Sequence, residues 1–278
     1  MIHADDLGLC HGANAAFQEL AALGAATCGS VMVPAPWFLE IAEMQARDPT
    51  LDIGVHLTLN AEKRHYRWRP LTGASPAAGL TDEDGYFRRS VPELRRRAHP
   101  EAVEAELRAQ IETALAAGID VTHLDDHMGA VLCPEFLGIY VRLGREYCLP
   151  IVLVDSLDCF DPRHNLDETG DGGALAAAAE AARAYGSPIF EAVLETPWQR
   201  GESVAADYAA LLRRAPAGLS FLALHFNQPG EIAWIEPETA QIRVDEYEFF
   251  RQPGTLEALR RQFCLCGMRE LKENLNQG

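Results

Sequence analysis

Four polar clusters in this sequence carry residue types that bind a divalent metal and move protons: Asp5–Asp6, His56, Asp125 to His127, and His225. Taken singly, each is ordinary. Adjacent acids followed by Gly8 commonly make a turn or a helix cap, and a histidine inside GVHLTL commonly packs as a hydrogen-bonded core residue. Taken together they form a chemical set. Two imidazoles, His56 and His127, with one carboxylate leave open coordination positions, the inventory of a catalytic divalent ion. Ligand softness favours Zn²⁺, and Mg²⁺ or Mn²⁺ are also accommodated. Neighbouring residues at a strand end point in different directions, so one carboxylate of the Asp5–Asp6 pair can hold the metal while the other serves as a base. His225, in FLALHFNQPG, offers an imidazole that gives and takes a proton near neutrality, and it is expected to act as a general acid.

What must position these groups is an alternation of helices and strands. Helices are expected over 11–23 (closed by Gly24), 37–46, 100–117, 134–147, 174–185 and near 203–214, with a charged amphipathic helix over 254–273. Strands are expected at 29–33, 51–59, 120–124, 150–154, 189–194 and 219–224, after an opening strand MIHA. Each polar cluster then comes at or just after a strand. In a parallel barrel those ends share one face, where active sites are built. Such alternation predicts βα units and a single α/β domain over residues 1–278. Residues 60–99, rich in proline and glycine, exceed normal loop length and are expected to form an inserted functional loop. On it, Trp68 and Arg69 are candidate substrate contacts, an aromatic face and a bidentate donor. Residues 155–173 are a Gly/Asp-rich excursion. The remaining histidines, His3, His11, His65, His99, His123 and His164, are read as ordinary, although strand alternation points His123 to the side of Asp125 as support for a ligand.

With 41 acidic against 24 basic residues, a formal charge of −17, the chain repels a phosphate backbone and is not expected to bind nucleic acid or an anionic membrane. Seven scattered cysteines without CxxC spacing indicate neither a disulfide framework nor a thiolate zinc site. The opening MIHADD lacks a basic and apolar leader, and no stretch approaches the roughly 18 apolar residues of a membrane span, so a soluble cytoplasmic protein is expected.

The segments HADDLGLCHGANAAFQEL, IGVHLTLNAEKRHYRWRPLTG, THLDDHMGAVLCPEF and LHFNQPG resemble, in order and over most of the chain, the YdjC-like carbohydrate deacetylases, the family that includes chitooligosaccharide deacetylase. The resemblance implies a distorted TIM-like (β/α) barrel and removal of the N-acetyl group from N-acetylglucosamine-type mono- or oligosaccharides. It also implies one divalent ion (Mg²⁺ or Zn²⁺) held by Asp6, His56 and His127, with Asp5 as catalytic base and His225 at the late histidine position. The family's usual NADDFG, THxDSHHHxH and CHPG are changed here at His3, Leu7, Met128, Gly129, Val131 and the FNQPG after His225. These departures fall on substrate-facing groups, so metal-assisted hydrolysis is the firmer expectation and the particular sugar the weaker one. A small carbohydrate is the expected partner, and since a dimer is common for such folds, a homodimer is carried with it. Two alternatives stand beside this reading. A metal phosphoesterase would bring a basic phosphate clamp, and a non-catalytic sugar-binding barrel would release no acetate.

Overall fold

The computed structural model describes residues 1–161 and 172–275. Seven strands form one sheet in the order β4-β3-β2-β1-β7-β6-β5, and every paired neighbour is parallel. The strands are β1 (Ile2–Leu7), β2 (Cys28–Val31), β3 (Ile53–Leu57), β4 (Val121–Asp126), β5 (Phe160–Asp161), β6 (Ala192–Glu195) and β7 (Ser220–Leu224). The helices are α1 (His11–Leu23), α2 (Phe38–Arg47), α3 (Val91–Arg97), α4 (Pro100–Ala116), α5 (Pro134–Glu146), α6 (Gly172–Ala184), α7 (Val204–Leu212), α8 (Ile232–Ile235), α9 (Ala240–Phe250), α10 (Pro253–Gln262) and α11 (Met268–Leu275). Strands β1, β2, β3 and β7 are buried at every residue, as expected where one sheet face meets helices and the other an enclosed interior. Together these make a distorted TIM-like barrel.

Local signals place the elements. In α1 the buried Ala13, Ala16, Phe17 and Leu20 recur at helical spacing, and Gly24, at φ 71°, ends the helix by giving its N–H to the carbonyls of Leu20 and Ala21. Prolines open α4 and α5 at positions where the missing N–H costs nothing.

The barrel closes through an irregular segment. Residues 150–154, expected as a strand, pair only at Ile151, opposite Leu124. Beyond that bridge, the Leu153 carbonyl accepts from the Phe190 N–H at 2.9 Å, linking the segment to the chain entering β6. The expected 254–273 helix is two helices, α10 and α11, separated by residues 263–267; at the start of α11 the Arg269 N–H donates to Asp52 Oδ2 at 2.7 Å, and Gly267 passes so close to that carboxylate that a Cβ there would lie 2.4 Å from it. Residues 60–99 are not a bare loop, since they hold a 3₁₀ turn at Pro76–Ala78 and α3. The stretch from Ile232 to Phe250, read without elements in the sequence, carries α8 and α9. Of the 155–173 excursion, residues 162–171, His164 among them, lie outside the described residues.

Two irregularities re-aim side chains at the rim. Between Ala4 and Leu7, β1 has one residue more than β2 opposite it, a bulge that falls on Asp5–Asp6. Asp6 takes φ 60° there, a conformation Asp tolerates better than most residues. A second bulge in β4 falls between Val121 and Leu124, and the His123 ring fills the space above Gly54, where a Cβ would meet it at 2.5 Å.

Candidate metal centre and proton-transfer groups

Because all strands run parallel, Asp5 and Asp6 at the end of β1, His56 on β3, Asp125 and Asp126 on β4, and His225 after β7 reach the same rim. Strand β4 continues through Asp126, two residues further than expected, and His127 opens the turn that follows. All line one cavity of about 290 Å³.

Asp6, His56 and His127 each present a ligand atom within 4.8 Å of the others. Asp6 Oδ1 lies 3.6 Å from His56 Nε2 and 3.2 Å from His127 Nδ1, and it is buried without a hydrogen bond of acceptable geometry. The opposite atom of each residue is already engaged. Asp6 Oδ2 accepts from Arg243 Nη1 at 2.8 Å, His56 Nδ1 meets Asp125 Oδ2 at 2.9 Å, and His127 Nε2 meets Glu62 Oε2 at 3.1 Å. Carboxylates behind ligating histidines fix the tautomer that turns the other nitrogen to a metal. An orphaned carboxylate oxygen between two so oriented imidazoles fits a divalent cation in donor type and in number.

Around this triad runs a closed ring of alternating charges. From Asp6 it passes through Arg243 to Glu236 (2.8 Å), on to Lys63 (2.6 Å), then Glu62 (2.7 Å), and returns through His127. Burial opposes ionisation of Asp6, but Arg243 and His127 hold its carboxyl well below the usual range. For His127, burial is overridden by Glu62 and Asp6, which raise the imidazole to about 10; for His56, Asp125 overrides burial and raises it to about 9. In metal-free protein, imidazolium charge therefore occupies the position a cation would neutralise.

Asp5 and His225 face each other across the cavity, Asp5 Oδ2 lying 3.9 Å from His225 Nε2. Burial, reinforced by the Asp125 and Asp6 carboxylates, pushes Asp5 well above the ordinary value against the opposing effect of His56. Its Oδ1 is 2.6 Å from His3 Nδ1, and His3 Nε2 is 3.0 Å from His123 Nε2. His3 and His123, read as ordinary in the sequence, thus form the floor beneath Asp5. Burial lowers both to about 4, so they are neutral imidazoles. With Asp125 they make a second close His/His/Asp group, but their mutual hydrogen bond already occupies the nitrogens such a site would need.

Behind His225 stands a relay absent from the sequence reading. The Thr196 hydroxyl donates to Glu246 Oε1 at 2.9 Å and lies 2.8 Å from His225 Nδ1. Having given its one proton to Glu246, Thr196 can only accept from His225, so Nδ1 carries the hydrogen and Nε2 turns a lone pair to the cavity. Glu246 also accepts from the Tyr208 hydroxyl and the His225 backbone N–H. Burial raises Glu246 to about 7, and burial followed by the nearby Arg243 holds His225 well below its usual value. Trp198 packs on the His225 ring at 4.7 Å.

The structure does not bring Arg69 and Trp68 to the cavity. Trp68 is buried, gives its indole N–H to the Asn60 carbonyl and lies edge-on to His127 at 6.4 Å. Arg69 stacks on Tyr86 and donates to the Asp84 carbonyl. The polar groups at the mouth are Glu62, Lys63, Glu195, Glu236, Thr239 and Arg243. Glu62, six residues after His56 in the NAEKR run, was within reach of the sequence. Arg243 and Glu246 were not, because they sit in the middle of a helix.

The family model described as YdjC-like protein matches residues 1–261 of this chain. Among curated relatives, the carbohydrate deacetylase of Thermus thermophilus is 44% identical over 158 residues, 57% of this chain and 54% of that protein. That of Brevibacillus brevis is 34% identical over 151 residues, 54% of this chain and 57% of the relative. In these matches the chain spans little more than half the length of the curated relatives. Among solved structures, a candidate cellobiose-phosphate cleavage protein from Enterococcus faecalis superposes with a TM-score of 0.78 at 22% identity, covering 98% of this chain and 97% of the other, a likeness of fold.

Proposed function

The chain belongs to the YdjC-like protein family, and on that premise we propose that it is a metal-dependent carbohydrate deacetylase, hydrolysing the N-acetyl amide of an N-acetylglucosamine-type mono- or oligosaccharide. The observation that carries this reading is the buried Asp6 Oδ1, without a hydrogen bond of acceptable geometry, between His56 Nε2 and His127 Nδ1, with Asp5 and His225 beside it as a pair of proton carriers. A divalent cation held by Asp6, His56 and His127, Zn²⁺ or Mg²⁺, would supply Lewis acidity to the amide carbonyl and to the attacking water.

The chain's own groups do the rest. Asp5 takes the proton from the water as its oxygen bonds to the acyl carbon; a carboxylate whose pKa is raised by burial is the stronger base for this step. His225 presents an unprotonated Nε2 to the same space, so it receives a proton before it gives one, and the short gap to Asp5 supplies the route. The C–N bond then breaks, the proton passes to the departing sugar amine, and acetate remains. No external oxidant or base enters the balance.

The mouth argues against a phosphoesterase. Among the described residues, Arg243 and Lys63 line it, and each is committed to two carboxylates, leaving neither side chain free to clamp a phosphate. Among the described residues no helix is long and apolar enough to cross a membrane, in keeping with a small water-borne substrate.

Diacetylchitobiose incubated with the protein and Zn²⁺ or Mg²⁺ is expected to release acetate, and a chelator is expected to stop it. Phosphate release from an aryl phosphate without acetate release from the sugar would favour the phosphoesterase instead, and no release of either would leave a binding protein. Glu246→Gln provides a finer check. One of its two former acceptor positions becomes an NH₂ donor, which lets Thr196 turn its hydrogen to His225 Nδ1 and reverses the imidazole tautomer. The expected result is a fall in kcat of about 10²-fold with KM little changed, read from initial rates of acetate release. An equal loss in both parameters, or none, would remove Glu246 from this role.

A further inference from the structure

The cavity is deeper than an acetyl group requires, and its depth has a different chemistry from its mouth. Parallel (β/α) barrels normally fill their interior with layers of side chains. Here one half is filled: His3, His123, His56 and Asp125 occupy the space inside β1, β3 and β4, with the His3 ring packed at a tilt against Phe221, centroids 4.5 Å apart. The other half is open. Along β6, Ala192 and Leu194 are buried while the alternate Val193 and Glu195 remain partly exposed, and both of the latter line the cavity. Val193 is in register with Phe221 and Glu195 with Ala223, so the cavity follows two side-chain layers down the strands. From His225 back to Phe221 is four residues, roughly 13 Å at about 3.3 Å per residue.

The lower layer is Val193 with Phe160 and Phe221 in register on either side, and Leu132, Val152 and Ala223 add further apolar lining to the cavity. None of these side chains offers a hydrogen bond. A pyranose placed there would leave its hydroxyls without partners, so burial there disfavours it. Glu62, Lys63, Glu236 and Arg243 crowd the opposite, outer end, where hydroxyls find donors and acceptors. Polarity therefore orients the amide: sugar outward, acyl group inward. As for size, an apolar cavity of about 150 Å³ is enough to admit benzene. This one measures about 290 Å³ in all, shared between the polar end and the apolar layer.

We propose that the lower half of the cavity is an acyl-chain pit, and that the preferred substrates are sugars carrying N-acyl groups longer than acetyl, of about four carbons. The inference rests on the hydrolytic reading of the same site and specifies its substrate class. Chemically the step is unchanged: water adds to the acyl carbon, the C–N bond breaks, the amine leaves with the proton and a longer carboxylate stays behind. Small side chains at Ala223, Val193 and Val152 make the pit, so their size sets the length accepted.

The test is the release of glucosamine from N-acetyl-, N-propionyl- and N-butyrylglucosamine by the full chain loaded with Zn²⁺, each at several concentrations. Burying each added methylene is worth about fourfold in kcat/KM, so butyryl is expected to exceed acetyl by about tenfold or more. In Ala223→Leu and, separately, Val193→Leu, the butyryl-to-acetyl ratio is expected to fall to one or below. A ratio is unaffected by the fraction of protein that folds, so either variant reports even if part of it is lost. A wild-type ratio at or below one overturns the pit while leaving deacetylation intact. Absence of glucosamine from all three substrates overturns the hydrolytic reading, and the pit's assignment with it.

Discussion

An Asp5→Asn protein is expected to lose about 10²–10⁴-fold in kcat for acetate release while binding as much metal as the wild type. The substitution keeps shape and removes proton affinity. Asp5 stands outside the Asp6–His56–His127 group, so the residues proposed to hold the cation survive the change. Its Oδ1 is 2.6 Å from His3 Nδ1 and its Oδ2 faces His225, leaving a substitute amide room to sit in the same place. Because the effect is on proton transfer and not on binding, KM is expected to move little. Acetate release rates alongside elemental analysis check both halves; full activity with metal still bound would take the base role away from Asp5.

Removing Arg243 is expected to have the largest effect on stability. Its guanidinium bridges Asp6 and Glu236 at 2.8 Å each, lies over the Trp198 ring at 5.3 Å, and is almost fully buried. Arg243→Met keeps the bulk of the side chain and leaves two buried carboxylates short of their cation. Breaking a buried pair in this way costs about 3–5 kcal/mol. Urea denaturation of the metal-free protein is the measurement, with a fall in midpoint at unchanged slope. A loss under about 1 kcal/mol would mean that Lys63 and His127 suffice to hold the ring, against the geometry described here.

These two residues also mark what the sequence could and could not reveal. Asp5 was readable because it follows an apolar strand, and position in a βα unit predicts the rim of a barrel. The same logic brought His56, His127 and His225 to one cavity. Arg243 and Glu246 lie on α9, whose inward face buries two charged side chains among Ile242, Tyr247 and Phe250. Charge on the buried face erases the apolar stripe by which a helix is recognised, so the most polar part of the site hid the element that carries it. Segment 150–154 misled for the opposite reason. Its apolar run is real and every residue is buried, but it makes only one ladder pair, and apolarity records burial without recording pairing. Trp68 and Arg69 were sought as sugar contacts from their residue type alone, and the loop that carries them folds back on itself through Asn60, Asp84 and Tyr86. His3 could have been found: it precedes the acidic pair by two residues on the same strand, and alternation turns it to the side of Asp5.

On the proposed reading, one divalent ion between Asp6, His56 and His127 would make this chain a hydrolase of N-acylated sugars. Adding Zn²⁺ stepwise to chelator-stripped protein while following acetate from diacetylchitobiose tests it most directly. Activity is expected to rise from baseline and level off at one equivalent, and to stay at baseline in His127→Ala at the same metal concentrations. Acetate release by the stripped protein at the full rate, or an equal response from His127→Ala, would contradict the account.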